Sequence, residues 1–300
     1  MADFNKENSF DKIVISTETI IAKTNWKVDI LALFNHLPVT YYKVIPKKRG
    51  RKSKDEKKEE KSDDLQDGQI ITLKIGNKIR GVNLKEKKNA KRFFRNSLTI
   101  VMFLDNKFIN FKVSKNGKFQ FTGCKNEIHS QRSMEFIYEY TKNSSKIIQI
   151  DGDQSEIIFI TVMTNINFNL GFCINRENLD EYINSKTKYY SLLETSFGYT
   201  GVNIKIMLDN INNIPIHKIV YNNDTDEWEN IDFNYSKYID TLDEKEKKKE
   251  ISKVRYNTFL VFQSGNVILS SPHKECMRHT YHEFMEIIDK CKDRIEEKIY

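Results

Sequence analysis

Four side chains near the C-terminus carry groups that could coordinate a metal: His273, Cys276, His279 and His282. Residues three apart share one face of a helix, and sulfur with imidazole nitrogen is a donor set that zinc takes. The same stretch spaces Met277, Phe284, Ile287 and Ile288 as a helix would, so the apolar residues claim the buried side and leave the histidines solvated. Neither a metal nor a cofactor is expected. Asp151-Gly152-Asp153 could hold a cation, but it reads better as the turn between two halves of the chain. No phosphate-cradling glycine loop, GxSxG elbow or HExxH helix occurs, and the chain is not expected to be an enzyme.

Chemistry toward a polyanion has more support. Lys47 to Lys52, KKRGRK, resembles the core of an AT-hook, with Lys52 where that motif usually has proline; a nuclear-import signal or a solvated linker fits as well. The run LKEKKNAKRFFR leads directly into Phe93 and Phe94 and is a candidate for phosphate contact. Overall, 49 basic against 42 acidic residues give +7, an excess that permits a polyanionic partner without demanding one. Cys124, Cys173, Cys276 and Cys291 show no CxxC spacing, which suits a reducing compartment. No apolar run reaches the roughly 18 residues of a membrane span, so an intracellular protein without a membrane partner is expected.

The elements that would position these groups occur twice. Asn257 to Ile288 reads as an alternating strand, a tight turn at Ser264-Gly265, a second alternating strand and a helix; Ile109 to Tyr140 repeats the pattern around Asn116-Gly117. Gly117 and Gly265 are 148 apart, as are Phe136 and Phe284. FFRNSLTIVMFLDN (93–106) matches FGYTGVNIKIMLDN (197–210) at an offset of 104, and TIIAKTNWKVDI (19–30) matches TVMTNINFNLGF (161–172) at 142. The changes of offset locate about 38 extra residues in the first copy and about 44 in the second, both on polar stretches as surface insertions should be. The chain therefore divides into a tail (1–10), a first repeat (11–145) with a charged insertion (46–69), and a second repeat (151–300) with an insertion (221–254). The second insertion, holding WENIDFNYSKYIDTL, is read as one helix.

With the repeat defined, the pattern resembles the TATA-box-binding protein family. LVFQSGNVILSS is similar to that family's LIF-SGK-V-TGAK signature, SKNGKFQFTGCK is similar to the same signature in the first copy, and TSFGYTGVNIKI looks like the segment around a DNA-kinking phenylalanine. The lysine-rich insertion looks most like the TATA-binding-protein-like factors of large DNA viruses. The resemblance implies an α+β fold: a pseudo-symmetric saddle of two repeats, with a curved antiparallel sheet of about ten strands and helices on its convex face.

Carried over position by position, the resemblance places DNA-kinking wedges at Phe197, Phe262 and Phe93, with Ser114 at the fourth, where no phenylalanine stands. Thr19 and Thr161 replace the asparagines at the middle of the site. Thr122 and Ser270 are the signature hydroxyl residues, with Gln120 and Ile268 beside them, and Lys125 is the phosphate-contacting lysine, matched by His273. The implied function is a general transcription initiation factor that binds and bends A+T-rich double-stranded DNA through the minor groove. It would recruit a transcription factor IIB-like protein, near Tyr190 to Ser196, and RNA polymerase. The site of action would be the nucleus or, for a viral chain, the virus factory of the host cell and the virion. Two rivals remain: a saddle-fold interaction scaffold that has lost DNA binding, suggested by Ser114 and Gln120, and an auxiliary domain of a nucleic-acid enzyme.

Overall fold

A computed structural model describes residues 10–41, 65–82, 96–194, 200–208 and 214–297. In chain order the first half holds β1 (Ile15–Thr24), β2 (Trp26–Val28), α1 (Ile30–His36), β3 (Ile70–Ile75), β4 (Lys78–Gly81), β5 (Ser97–Leu104), β6 (Lys107–Ser114), β7 (Lys118–Cys124), α2 (Glu127–Thr141) and β8 (Ile148–Ile150). The second half holds β9 (Glu156–Asn169), α3 (Arg176–Lys186), β10 (Tyr190–Glu194), β11 (Gly201–Met207), β12 (Pro215–Asn222) and β13 (Glu227–Asn234). It ends with α4 (Tyr235–Asp240), α5 (Glu244–Ile251), β14 (Tyr256–Phe262), β15 (Asn266–Ser271) and α6 (Arg278–Ile295). The fold is α+β and its strand pairs are antiparallel. No described helix is long and apolar enough to cross a membrane.

The chain forms two compact units: a first of Thr19–Ile160 with His217–Asp232, and a second of Met1–Glu18, Thr161–Ile216 and Phe233–Tyr300, each as far as its residues are described. In the first, the strands run in the order β1, β7, β6, β5, β3; in the second, β9, β15, β14, β11, β10. These are two matched sets of five. The five other strands are additions: β4 extends the first set beyond β3, β2 pairs with β8, and β12 pairs with β9 and β13.

The pairing registers carry the same equivalence. Ser97, Thr99 and Val101 of β5 face Ser114, Lys112 and Asn110 of β6. Gly201, Asn203 and Lys205 of β11 face Phe262, Leu260 and Thr258 of β14. Asn110 and Lys112 face Thr122 and Gln120 across β6 and β7, while Thr258 and Leu260 face Ser270 and Ile268 across β14 and β15. Each pair of the first unit maps onto its counterpart at the sequence offsets of 104 and 148. Slipping one strand by one residue would turn its apolar set outward, so the buried pattern fixes the register in both units.

Each set of strands packs helices on one face. In the first unit Leu98, Ile100, Phe111, Val113, Phe119 and Phe121 are buried with Leu33 of α1 and Met134, Ile137 and Tyr138 of α2. Trp26 closes this core: its ring meets Phe119 edge-on at 5.7 Å, and its indole N–H donates to Ser155 Oγ at 2.7 Å. In the second unit Val202, Ile204, Phe259, Val261, Val267 and Leu269 pack against Leu179 and Ile183 of α3 and Tyr281, Phe284 and Ile288 of α6. Phe259 and Phe284 stack with centroids 4.3 Å apart.

Local chemistry explains the boundaries. Asp29 caps α1 by accepting from the Leu31 and Ala32 amides at 3.0 Å each, and the helix stops ahead of Pro38. The β5–β6 hairpin turns on Asp105 and Asn106 with φ of 49° and 59°, the pair of left-handed residues that a two-residue turn of the twisted type requires. Asn25 holds the link between the repeats. Its side-chain amide donates to the carbonyls of Asp151 (2.9 Å) and Gln154 (2.8 Å), and its side-chain oxygen accepts from the Glu156 amide (2.9 Å).

Two expectations change. The second insertion is not one helix: β12 and β13 form a hairpin, and α4 and α5 follow. Alternating Ile219 and Tyr221 are buried, and Trp228 meets Tyr138 and Tyr221 edge-on, each at 5.1 Å, so aromatic packing selects strands over the helical spacing of the segment. The helices also match one residue away from the Phe136–Phe284 alignment. Met134, Ile137 and Thr141 are the buried counterparts of Tyr281, Phe284 and Ile288, and Phe136 instead packs at the edge of its core. The second copy is one residue shorter between hairpin and helix, where a short 3-10 turn, Lys274–Met277, leads into α6.

Candidate nucleic-acid interface

On every strand of the two matched sets, the residues that alternate with the core point to the other side of the sheet, here called the open face. In the second unit, one cross-strand row of this face runs Leu192, Asn203, Leu260, Ile268, Asn167, and the next runs Tyr190, Lys205, Thr258, Ser270, Asn165. Phe262 begins a third row opposite Gly201. In the first unit the matching rows are Lys74, Thr99, Lys112, Gln120, and Thr72, Val101, Asn110, Thr122, with Ser114 opposite Ser97. Thr72, Val101 and Phe103 are buried, so the first unit's face is closed at its β3–β5 end.

The two hairpins that carry these rows share a turn that only glycine fits. Gly117 and Gly265 have φ of 67° and 77°, and a Cβ on either would lie 2.3 Å from the Trp26 carbonyl oxygen or 2.1 Å from that of Phe172. The chain therefore passes close against a carbonyl at both turns, and the residue three positions earlier, Ser114 or Phe262, ends its strand beside the turn.

Several expected residues fall on the open faces. Phe262 is half-buried at the end of β14. Ile268 and Ser270 sit on the open side of β15, and Thr122 with Gln120 on that of β7. Ser270 Oγ donates to Asn165 Oδ1 (2.6 Å), and the Asn165 amide donates to Thr17 Oγ1 (3.0 Å), so this hydroxyl is part of a network rather than a free donor. Thr122 Oγ1 contacts the Asn110 carbonyl at 3.4 Å. Ser114 is tied to its own turn, with its hydroxyl 2.6 Å from Asn116 Oδ1 and 3.0 Å from the Lys118 carbonyl. Thr19 on β1 and Thr161 on β9 are half-buried.

Phe93 and Phe197, with KKRGRK and LKEKKNAKRFFR, lie outside the described residues.

Lys125 is exposed just beyond β7, where its backbone amide donates to His129 Nδ1 at 3.4 Å. A basic corner surrounds it. Burial holds the Lys107 ammonium below its usual range, and the neighbouring Lys125 charge pushes the same way. Burial likewise lowers His129, whose ring lies 3.5 Å from Asp105, while Arg132 bridges Asp105 (2.6 Å) and Asp67 (2.7 Å). His273, the counterpart of Lys125, accepts from the Glu275 amide at 3.3 Å and caps the turn before α6.

Other residues of these faces were not singled out in the sequence: Lys112, Asn165, Asn167, Asn203, Lys205 and Leu260. Leu260, two before Phe262, and Lys112, two before Ser114, could have been found by strand alternation alone. Asn203 and Lys205 required the pairing of β11 with β14. Of the four residues weighed as metal donors, His279 and His282 are exposed and the Cys276 thiol is raised by burial. Among the described residues no three of His, Cys, Asp and Glu gather as ligands would.

No family model matches the sequence. An uncharacterized protein, 335L, of Invertebrate iridescent virus 6 is 28% identical, covering 95% of this chain and 86% of its own. A TATA-box-binding protein-like chain of Acanthamoeba polyphaga mimivirus is 30% identical over 47% of this chain and 47% of its own length. Among solved structures, Methanococcus jannaschii TBP superposes with a TM-score of 0.42 at 11% identity, covering 93% of this chain and 98% of that one. The chain is thus TATA-box-binding-protein-like in sequence over about half its length, with relatives in two viruses.

Proposed function

We propose that this chain is a transcription initiation factor that seats A+T-rich duplex DNA on the open faces of two repeats, 11–145 and 151–300, through the minor groove, and bends it. It does no covalent chemistry. The bent complex is presented to a transcription factor IIB-like protein and to RNA polymerase. The reading is carried by the doubled hairpin: two strand sets of one register, each with a face of hydroxyl, amide and aliphatic side chains, and a half-buried phenylalanine at the turn end of β14.

Such a face suits a minor groove at A·T pairs, which shows only acceptors and is read by short donors and flat apolar contact. A phenylalanine at the rim can unstack a base step, most easily a flexible pyrimidine–purine one, and TATA-box-binding proteins are themselves the standard example of that device. The mimivirus relative's name supports the same assignment. β10, the edge strand of the second unit's set, is where the protein partner would meet that unit.

The test is a gel-shift and bending assay on A+T-rich duplexes at low salt. Binding with bending is the expected result, and binding to a straight duplex or no binding sinks the proposal. Lys112, Ser114 and Gln120 favour a second reading, a scaffold that kept the fold without DNA affinity. Fluorescence anisotropy separates the two, since a scaffold has no affinity for Phe262→Ala to remove.

A further inference from the structure

Where the second unit's open face has Leu260 directly opposite Ile268, the first unit's has Lys112 directly opposite Gln120. At the rim, Phe262 is replaced by Ser114. We infer that the two faces differ in what base pairs they admit: the second unit requires A·T pairs, whereas the first accepts G·C through Gln120 and Lys112. This rests on the DNA-binding reading above.

The chemistry follows from the groove. An A·T pair shows only acceptors there, and a G·C pair adds the guanine amino group as a donor at the groove floor. Pressed against Leu260 and Ile268, that amino group would lose water and find no acceptor, and an unpaired buried donor is costly. The amides flanking the pair do not relieve it: the Asn203 side-chain oxygen is buried, and Asn167 lies a strand further on, past Ile268. On the first unit, Gln120 is exposed on the open face. Its carboxamide can turn its oxygen to a guanine amino group or its N–H to the acceptors of an A·T pair. Lys112 supplies a cation for ring acceptors or phosphate, and Thr99 and Asn110 beside it are small and polar.

The full chain is titrated with three duplexes: all A+T, G·C pairs in one half of the element, and G·C pairs in both halves. The protein can orient itself on the second, so the wild type should lose less than about threefold there and roughly tenfold or more on the third. The Lys112→Leu/Gln120→Ile double variant, measured against its own affinity for the all-A+T duplex, should lose roughly tenfold already on the second. Ile268→Gln should recover binding to the third. Equal losses on the second duplex for wild type and double variant, with no gain from Ile268→Gln, overturn this inference alone. No binding to the all-A+T duplex at low salt overturns the underlying reading and this inference together.

Discussion

Seven buried positions of the central strands are apolar in both units: Leu98 and Val202, Ile100 and Ile204, Met102 and Ile206, Phe111 and Phe259, Val113 and Val261, Phe119 and Val267, Phe121 and Leu269; at an eighth, Ile109 is matched by buried Asn257. The alternate positions on the same strands have diverged in charge and size: Lys112 and Leu260, Ser114 and Phe262, Gln120 and Ile268, Val101 and Lys205. Both units nevertheless keep one register. The core side alone is therefore enough to specify the hairpins, because any slip would expose its apolar set. The open side is released from that duty and has diverged between the units.

The largest contrast is at the rim. Phe262→Ala removes the half-buried phenylalanine at the turn end of β14; on the proposed reading it should weaken binding to an A+T-rich duplex by roughly 10- to 100-fold and reduce the bend. Ser114→Ala, at the equivalent turn, should change affinity by less than about twofold, because that hydroxyl serves its own turn. The converse, Ser114→Phe, should increase the bend. Circular-permutation gel shifts read all three, and equal effects of the two alanine variants would show that the rims do not differ.

The turns should behave alike where the rims do not. Gly117→Ala and Gly265→Ala each put a Cβ into left-handed backbone and against a carbonyl, so each should cost about 2 kcal/mol or more of stability by urea unfolding. Costs that differ widely would mean that the two hairpins are not built on one plan.

Much of this plan was legible in the residues. The alternation of LVFQSGNVILSS and the offset of 148 between Gly117 and Gly265 located both hairpins and their core sides. Two features were hidden because they depend on distant contacts. Trp228 could announce a strand only once Tyr138 and Tyr221 stood beside it. The one-residue change between hairpin and helix offsets shows only in burial, since Phe136 and Phe284 look equivalent in the chain. Of the open faces, the positions beside the hairpin turns were readable from the hairpin pattern. Lys205 and Asn203 were not, because strand pairing rather than spacing brings them beside Leu260 and Thr258.

A smaller effect sharpens the contrast in charge. Lys112→Leu makes the first unit's row resemble the second's and should reduce the slope of log affinity against log salt by about 1, while Leu260→Lys should raise it by about the same amount. Titrations at several salt concentrations measure the slope. No change in either variant would remove Lys112 from the phosphate contacts.

The smallest effect concerns acid. His129 on α2 is 5% exposed, and burial, ahead of the nearby Lys107, Arg132 and Lys125 charges, lowers its pKa, with Asp105 opposing. The unfolded chain takes up this proton at about pH 6.5 while the folded first unit still resists it. The contribution of the neutral ring is therefore full above pH 6.5 and lost as pH falls below it. At the equivalent position by the helix match, the second unit has Cys276, whose thiol is raised by burial and takes up no proton in this range. Between pH 7 and pH 5, amide exchange corrected for its intrinsic pH dependence should accelerate in α2 but not in α6, and His129→Met should abolish the difference. Acceleration in both helices, or its persistence in His129→Met, would place the acid response on groups common to both units rather than on this histidine.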